Sequence, residues 1–266
     1  MNRRQMITGA AALYPLMNTQ ANAAQSASAT SSRSFLELKT WRLHNSDESQ
    51  SKRVSDYLEA GLFPALTRAG AKPVAALGNL IGPDGPYLTT IVQYASLGAM
   101  QDVLTKLSSD DAHEKASQKL SSGPGMPFVT IESTLLHSLA ILPEPVLPAD
   151  AATRPPRIFE LRVYQNQSMT AMQKKAGMFN GGEIAIFQKL GMKPVFIGES
   201  VIGPSMPNIT YMLSFDNLDG SEKLWQKFGS DPEWKTLSAP AELKDPQIVA
   251  NIGNTILRPL PFSPLR

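Results

Sequence analysis

The sequence predicts an α+β fold in which one unit is written twice. Three observations lead there: a long self-match at one offset, the same order of strand and helix patterns on both sides of it, and a proline-rich segment between the copies. Shifting the chain by 121 residues lays Gly70-Ala71-Lys72-Pro73-Val74 on Gly191-Met192-Lys193-Pro194-Val195, and Ile81-Gly82-Pro83 on Ile202-Gly203-Pro204. Ser109-Asp110 falls on Ser230-Asp231, and Ile131, Thr134, Leu136 and Leu139 fall on Ile252, Thr255, Leu257 and Leu260. Each copy is about 110 residues, too long for a solenoid repeat and long enough for a domain.

The elements follow in order. Phe35–Trp41 and Ile158–Tyr164 alternate apolar and polar residues, as half-buried strands do. Ser51–Ala69 carries Val54, Leu58, Leu62 and Leu66 at four-residue steps, one face of a helix, and Ser168–Leu190 matches it. Lys72–Ile81 and Lys193–Ile202 are strands that stop at Gly-Pro turns. Tyr87–Tyr94 and Ile209–Phe215 return as hairpin partners. A second helix places Leu224, Trp225 and Phe228 on one face. It restarts at Asp231-Pro232, where Asp231 can cap and Pro232 suits the first helical position. Phe128–Leu136 and Ile248–Leu257 close the units.

The order β-α-β-β-α-β is the ferredoxin-like split motif. Its sheet carries helices on one face only, so the other face needs a cover. A second copy supplies one, giving two tandem ferredoxin-like domains packed sheet to sheet as an intrachain barrel, pseudo-dimeric within a monomer. The domains are residues 35–142 and 158–264. Between them, 143–157 holds Pro143, Pro145, Pro148, Pro155 and Pro156, an extended linker.

Residues 1–23 read as a targeting segment. Arg3 and Arg4 precede a mild apolar stretch and the small-x-small site Ala21-Asn22-Ala23, the pattern of a twin-arginine export signal. Residues 24–34 follow as a flexible spacer, and the expected compartment is periplasmic or extracellular. Without residues 1–23 the formal charge falls from +2 to 0, because they hold two arginines and no acid. A near-neutral mature chain without clustered Lys and Arg argues against nucleic-acid binding. Zero cysteines exclude disulfides, zinc–thiolate sites and thiol nucleophiles. No apolar run reaches the ~20 residues of a membrane span.

Several stretches resemble the NIPSNAP family: Phe159–Tyr164 (F-E-L-R-V-Y), Leu190–Val195 (L-G-M-K-P-V), Ile202–Pro204, Ser230–Trp234 (S-D-P-E-W) and Leu257–Pro264 (L-R-P-L-P-F-S-P). The resemblance covers 157–264, and 35–142 looks like a diverged copy. There Asp111-Ala112-His113 replaces Pro-Glu-Trp, and His137-Ser138 replaces Arg258-Pro259. The resemblance implies a dimeric α/β-barrel, no defined reaction, no cofactor, and binding or interaction roles. Related barrels include cofactor-free monooxygenases, isomerases and haem-handling proteins.

Candidate site residues are few. Glu160, Arg162 and Tyr164 share one strand face, and charges there need partners or a ligand. The first copy keeps the pattern as Glu37, Lys39 and Trp41, which favours a structural Glu–Arg pair. Trp234 belongs to helix packing or to stacking on a ligand. His113, its counterpart, is expected to be exposed. Gly61 and Gly182 share one slot in the first helix, where glycine disfavours helix. They mark a kink, a close approach to the sheet, or room for a ligand. His44, His113 and His137 offer no metal-ligand spacing. Two function classes stay open: an exported protein binding a small apolar or aromatic ligand or a partner protein without chemistry, and a cofactor-independent monooxygenase or isomerase. Haem binding through one histidine is a weaker third.

Overall fold

The computed structural model describes residues 32–266 except 46, 151, 152 and 154, and Ser32–Arg266 form one unit. The expected export signal, residues 1–23, and most of the expected spacer lie outside the described residues. Eight strands close a barrel in the order β1-β3-β2-β8-β5-β7-β6-β4. They are β1 Phe35–Arg42, β2 Lys72–Ile81, β3 Tyr87–Tyr94, β4 Thr130–Ser138, β5 Ile158–Gln165, β6 Lys193–Ile202, β7 Asn208–Phe215 and β8 Asn251–Pro259. Within each half the sheet runs 4-1-3-2 or 8-5-7-6, the predicted ferredoxin-like sheet. The two sheets also join edge to edge through antiparallel pairs β2–β8 and β4–β6. Closure leaves no open edge to template aggregation.

Alternation sorts the side chains. Leu36, Leu38, Val74, Leu77, Ile91, Leu136, Phe159, Val195, Phe196, Met212 and Leu257 form one buried cluster drawn from all eight strands, so it fills the barrel interior. The opposite face meets the helices. Pro73 and Pro194 sit at matching register shifts in β2 and β6. Proline has no N–H to give the ladder, and bulges tolerate it.

The helices are α1 Gln50–Tyr57, α2 Phe63–Ala69, α3 Leu97–Leu107, α4 Asp111–Ser121, α5 Met169–Met178, α6 Ile184–Lys189, α7 Leu218–Ser230, α8 Pro232–Leu237 and α9 Asp245–Ile248. None is long and apolar enough to cross a membrane. The first helix of each half, where the glycines mark a kink, is divided by a π-helical turn, Leu58–Leu62 or Phe179–Glu183. Gly61 and Gly182 lie in these turns for different reasons. A Cβ on Gly61 would come within 2.5 Å of Ala116 Cβ, so the close approach is to α4 and not to the sheet. Gly182 has φ +156°, a conformation that favours glycine. Asp231 caps α8 by accepting from the N–H groups of Glu233 and Trp234, as expected. The closing strands begin later than predicted: the short α9 opens at Asp245-Pro246, and Ile248 belongs to it.

Each half reaches across to the other. After β8, Leu260 N–H donates to Ala76 O at 2.9 Å and Leu265 N–H to Val74 O at 3.1 Å. Phe262 packs edge-on against Phe63 of α2, with centroids 5.7 Å apart. After β4, Leu139 N–H donates to Ile197 O at 2.9 Å and Val146 N–H to Val195 O at 2.8 Å. Ser34, within the expected flexible spacer, is buried and donates N–H and Oγ–H to Pro143 O at 3.0 and 2.7 Å. Those hydrogen bonds tie down the end of the spacer.

Candidate functional site

The strand face that carries Glu160, Arg162 and Tyr164 is roofed by α5, the Phe179–Glu183 turn, α7 and α8. A polar network lies sealed between the two layers. Glu160 is saturated: Arg162 donates to it at 2.7 Å, Trp225 Nε1 at 2.9 Å and Ser221 Oγ at 3.0 Å. The Arg162 guanidinium lies over the Trp225 ring at 4.4 Å from its centroid and over Tyr164 at 5.5 Å. Burial opposes its charge, but Tyr211, Tyr164 and Glu160 outweigh burial and hold its pKa above the ordinary value. Its Nε is buried without a hydrogen-bond partner.

Tyr211 donates to the Tyr164 hydroxyl at 2.7 Å. Burial raises both phenols, Tyr211 well above its ordinary range, so both are protonated at neutral pH. Next to them Lys175 and Glu183 form an ion pair at 2.9 and 3.2 Å, each side chain 1% exposed. Lys175 Nζ also stands 5.2 Å from the Tyr164 centroid, 4.9 Å from Phe179 and 5.2 Å from Trp234. Burial pulls the Lys175 pKa down, and the facing Glu183 and Tyr164 more than restore it. Complete enclosure pushes Glu183 up against the pull of Lys175. An aromatic layer, Phe187–Phe228 at 4.8 Å and Phe228–Trp234 at 4.5 Å, backs the network.

Glu160, Arg162, Tyr164 and Trp234 are thus brought together, and Gly182 sits in the turn that positions Glu183. Glu37 and Trp41 belong to the other half. Glu37 pairs with Lys39 at 3.1 Å and accepts from Tyr94 and Ser133 at 3.1 and 3.0 Å. Trp41 donates to Thr90 Oγ1 at 3.2 Å and packs edge-on against Phe128 at 5.4 Å. Sequence reasoning missed Lys175, Glu183 and Tyr211. A signal existed: the 121-residue offset lays them on Val54, Leu62 and Thr90, none of them ionised. Charge replacing an apolar copy residue marks what the second half does differently.

The histidines do not join the network. His113 is half-buried rather than exposed, because its Nε2 meets Tyr57 OH at 2.9 Å and its Nδ1 the Leu107 carbonyl at 3.3 Å. His137 stacks on Phe35 at 4.5 Å, and burial together with Arg33 lowers its pKa against the opposing Glu199. His44 is an exposed loop residue. Among the described residues, no group of three His, Asp or Glu side chains is placed to hold a metal ion.

Beside the network lies a groove of about 420 Å³, lined by Gly181, Gly182, Ala185, Ile186, Glu233 and Leu237 among others. It belongs to the same two elements, the π-helical turn and α8, that supply Glu183 and Trp234. With Glu160 and Lys175 in ion pairs and Tyr211 bonded to Tyr164, the enclosed groups hold the layers together. What remains accessible is a small, mostly apolar surface with one carboxylate.

Comparison with known proteins agrees with this architecture. The chain is similar to a solved candidate monooxygenase from Fusobacterium nucleatum, with TM-score 0.54 and 10% identity over 86% of this chain and 93% of that one. It is similar to a chlorite dismutase from Candidatus Nitrospira defluvii, with TM-score 0.51 and 10% identity over 88% and 93%. These likenesses show the fold, a dimeric α/β-barrel within one chain. A NIPSNAP family protein from Agrobacterium tumefaciens is 25% identical over 42% of this chain and 94% of that one, with TM-score 0.38. No curated protein matches the chain in sequence. The NIPSNAP family model matches residues 159–264, the stretch of this chain that carries the network.

Proposed function

We propose that this chain is an exported binding protein whose NIPSNAP half takes a small apolar or aromatic molecule between the Phe179–Glu183 turn and α8, without a defined reaction. One observation carries the reading: the groove of about 420 Å³ there has a floor of Gly181, Gly182 and Ala185. Small residues leave space at the backbone of the turn that carries Glu183. Pockets of 300–1,000 Å³ with an apolar lining and few polar groups suit small ligands. Export rests on Arg3-Arg4 and the Ala21-Asn22-Ala23 site.

The catalytic alternative, a cofactor-independent monooxygenase or isomerase, would use Glu160, Arg162 and Tyr164. Glu160 already accepts from Arg162, Trp225 and Ser221, and none of the three lines the groove, which supports binding over chemistry. A haem would need a histidine with an open nitrogen in a cavity, and both His113 nitrogens are engaged.

The test is thermal unfolding of the full chain with indole, phenylacetate, naphthalene-2-sulfonate and decanoate. At a hundred times its Kd, a ligand selective for the folded state stabilises by about 2.7 kcal/mol. A Cβ on Gly181 meets nothing within 4 Å, and Gly181 lines the groove, so Gly181→Phe is the variant chosen to fill it. A stabilising compound whose effect disappears in Gly181→Phe is the expected result. Silence from all four, or an effect that persists in the variant, overturns the reading. Export is checked by fractionation: Arg3→Lys with Arg4→Lys should retain the chain in the cytoplasm.

A further inference from the structure

A second groove, of about 510 Å³, lies at one end of the barrel, between the linker and β6. Its walls include Val146, Leu147, Pro194 and Val195, and its floor holds Arg157 and Ser214. Phe159, Met212 and Val195 face the barrel interior. Arg157 is two residues before Phe159 and Ser214 two after Met212, so both continue the inward-facing alternation to the mouth of the barrel.

These two residues are unlike their surroundings. Arg157 is among the largest fully buried side chains, 1% exposed, and Ser214 is also buried. Buried polar groups are almost always hydrogen-bonded, and exceptions ask for an explanation. Arg157 Nε and Ser214 Oγ are both buried without a hydrogen-bond partner. Nε can only donate, and a serine hydroxyl can donate. The other two nitrogens have partners: NH2 bonds both Asp150 oxygens at 2.9 and 2.8 Å, and NH1 reaches the Arg266 carbonyl at 3.5 Å. Asp216 stands 3.7 Å from Nε, too far to accept its proton but close enough to add negative charge. Asp150 and Asp216 therefore already face the buried guanidinium with negative charge, and the other cation lining the groove, Lys193, lies on its exposed wall. At the rim, Val146 and Leu147 stay exposed although they are large and apolar.

We infer that the barrel mouth is a binding site for a small amphiphile with a neutral carbonyl head. The carbonyl oxygen accepts from Arg157 Nε–H and Ser214 Oγ–H, and the apolar tail lies along Val146, Leu147 and Val195. The site is separate from the Gly182 groove and does not depend on it. It also gives the linker a role, since Asp150 and Val146 fold back to form one wall.

The experiment is isothermal titration of the full chain with N,N-dimethyloctanamide and, separately, with octanoate. The amide carries a carbonyl and no donor, and octanoate presents the same tail with a charge. The amide should bind more tightly than octanoate. Ser214→Ala should weaken it about 3- to 10-fold, the share of one hydrogen bond. The free Ser214→Ala chain should melt no lower than the parent, because an unpaired buried hydroxyl has been removed. Ala149→Trp, on the exposed linker, should block the groove and abolish binding. Gly181→Phe should leave amide binding unchanged, which keeps this result apart from the first groove. Absence of amide binding at millimolar concentration, binding that survives Ala149→Trp, or tighter binding of octanoate overturns the assignment.

Discussion

Removing the Glu183 carboxylate while keeping Lys175 should be among the most damaging single changes in this chain. The pair is 2.9 Å apart at its nearest, and both side chains are 1% exposed. In Glu183→Leu the ammonium stays behind, out of reach of water, with the rings of Tyr164, Phe179 and Trp234 as neighbours. Breaking a buried pair from one side costs about 3–5 kcal/mol. Cation–π contacts of about 0.5–2 kcal/mol remain and keep the loss within that range. For a domain of this size, about 2–4 °C per kcal/mol converts the loss to a Tm lowered by about 6–20 °C. Lys175→Met with Glu183→Leu removes both charges and restores the apolar character of Val54 and Leu62 in the first half. Such replacements are often neutral or stabilising by about 1–4 kcal/mol. The double variant should therefore lie near the parent. Urea unfolding followed by tryptophan fluorescence reads all four chains of the cycle, because Trp225 and Trp234 border the network. The expected coupling is at least about 2 kcal/mol. A Glu183→Leu loss below about 1 kcal/mol, or strictly additive singles, would refute the argument that the pair is sealed and mutually dependent.

Other outcomes follow from the same coordinates. Burial raises the phenols of Tyr57, Tyr87, Tyr94, Tyr164 and Tyr211. Absorbance titration near pH 10 should therefore find most tyrosines un-ionised in the folded chain and a sharp rise only on unfolding. Asp231 is held below the ordinary carboxylate range by Lys189 and by the N–H groups it caps, and Asp110 by the His113 N–H and Arg68. A lowered folded pKa gives stability that is present above the unfolded pKa near 4 and lost as pH falls through the folded value. Asp231→Asn should flatten the acid limb of a Tm-against-pH curve. Gly61→Ala drives a methyl to 2.5 Å from Ala116 Cβ and should destabilise by about 1–3 kcal/mol. Gly181→Ala meets open space and should be neutral or stabilising by up to about 1 kcal/mol, measured by the same urea unfolding.

The element order and the doubling were readable because they depend on local periodicity. Alternation marks strands, four-residue steps mark helices, and the repeated Lys-Pro-Val and Ile-Gly-Pro punctuate each copy. Glu160, Arg162 and Tyr164 were found for the same reason, as polar positions on a strand that packs on two sides. The π-helical turns were visible only as misplaced glycines, since apolar residues at four-residue steps read equally well as one continuous helix. Lys175 and Glu183 were passed over because each looks like a solvent-facing charge on a helix until the helix is rotated inward. Which sheet edges join was not readable either: β2–β8 and β4–β6 pair residues far apart in the chain through backbone groups that every residue carries. The exchange of tails between the halves is of the same kind. By itself, then, the sequence determined two β-α-β-β-α-β units and the strand faces they present. Tertiary structure decided which charges are sealed, and where two donors, Arg157 Nε and Ser214 Oγ, are left without acceptors at the barrel mouth. Burial and pairing are properties of contacts between distant segments, and local pattern holds no record of them.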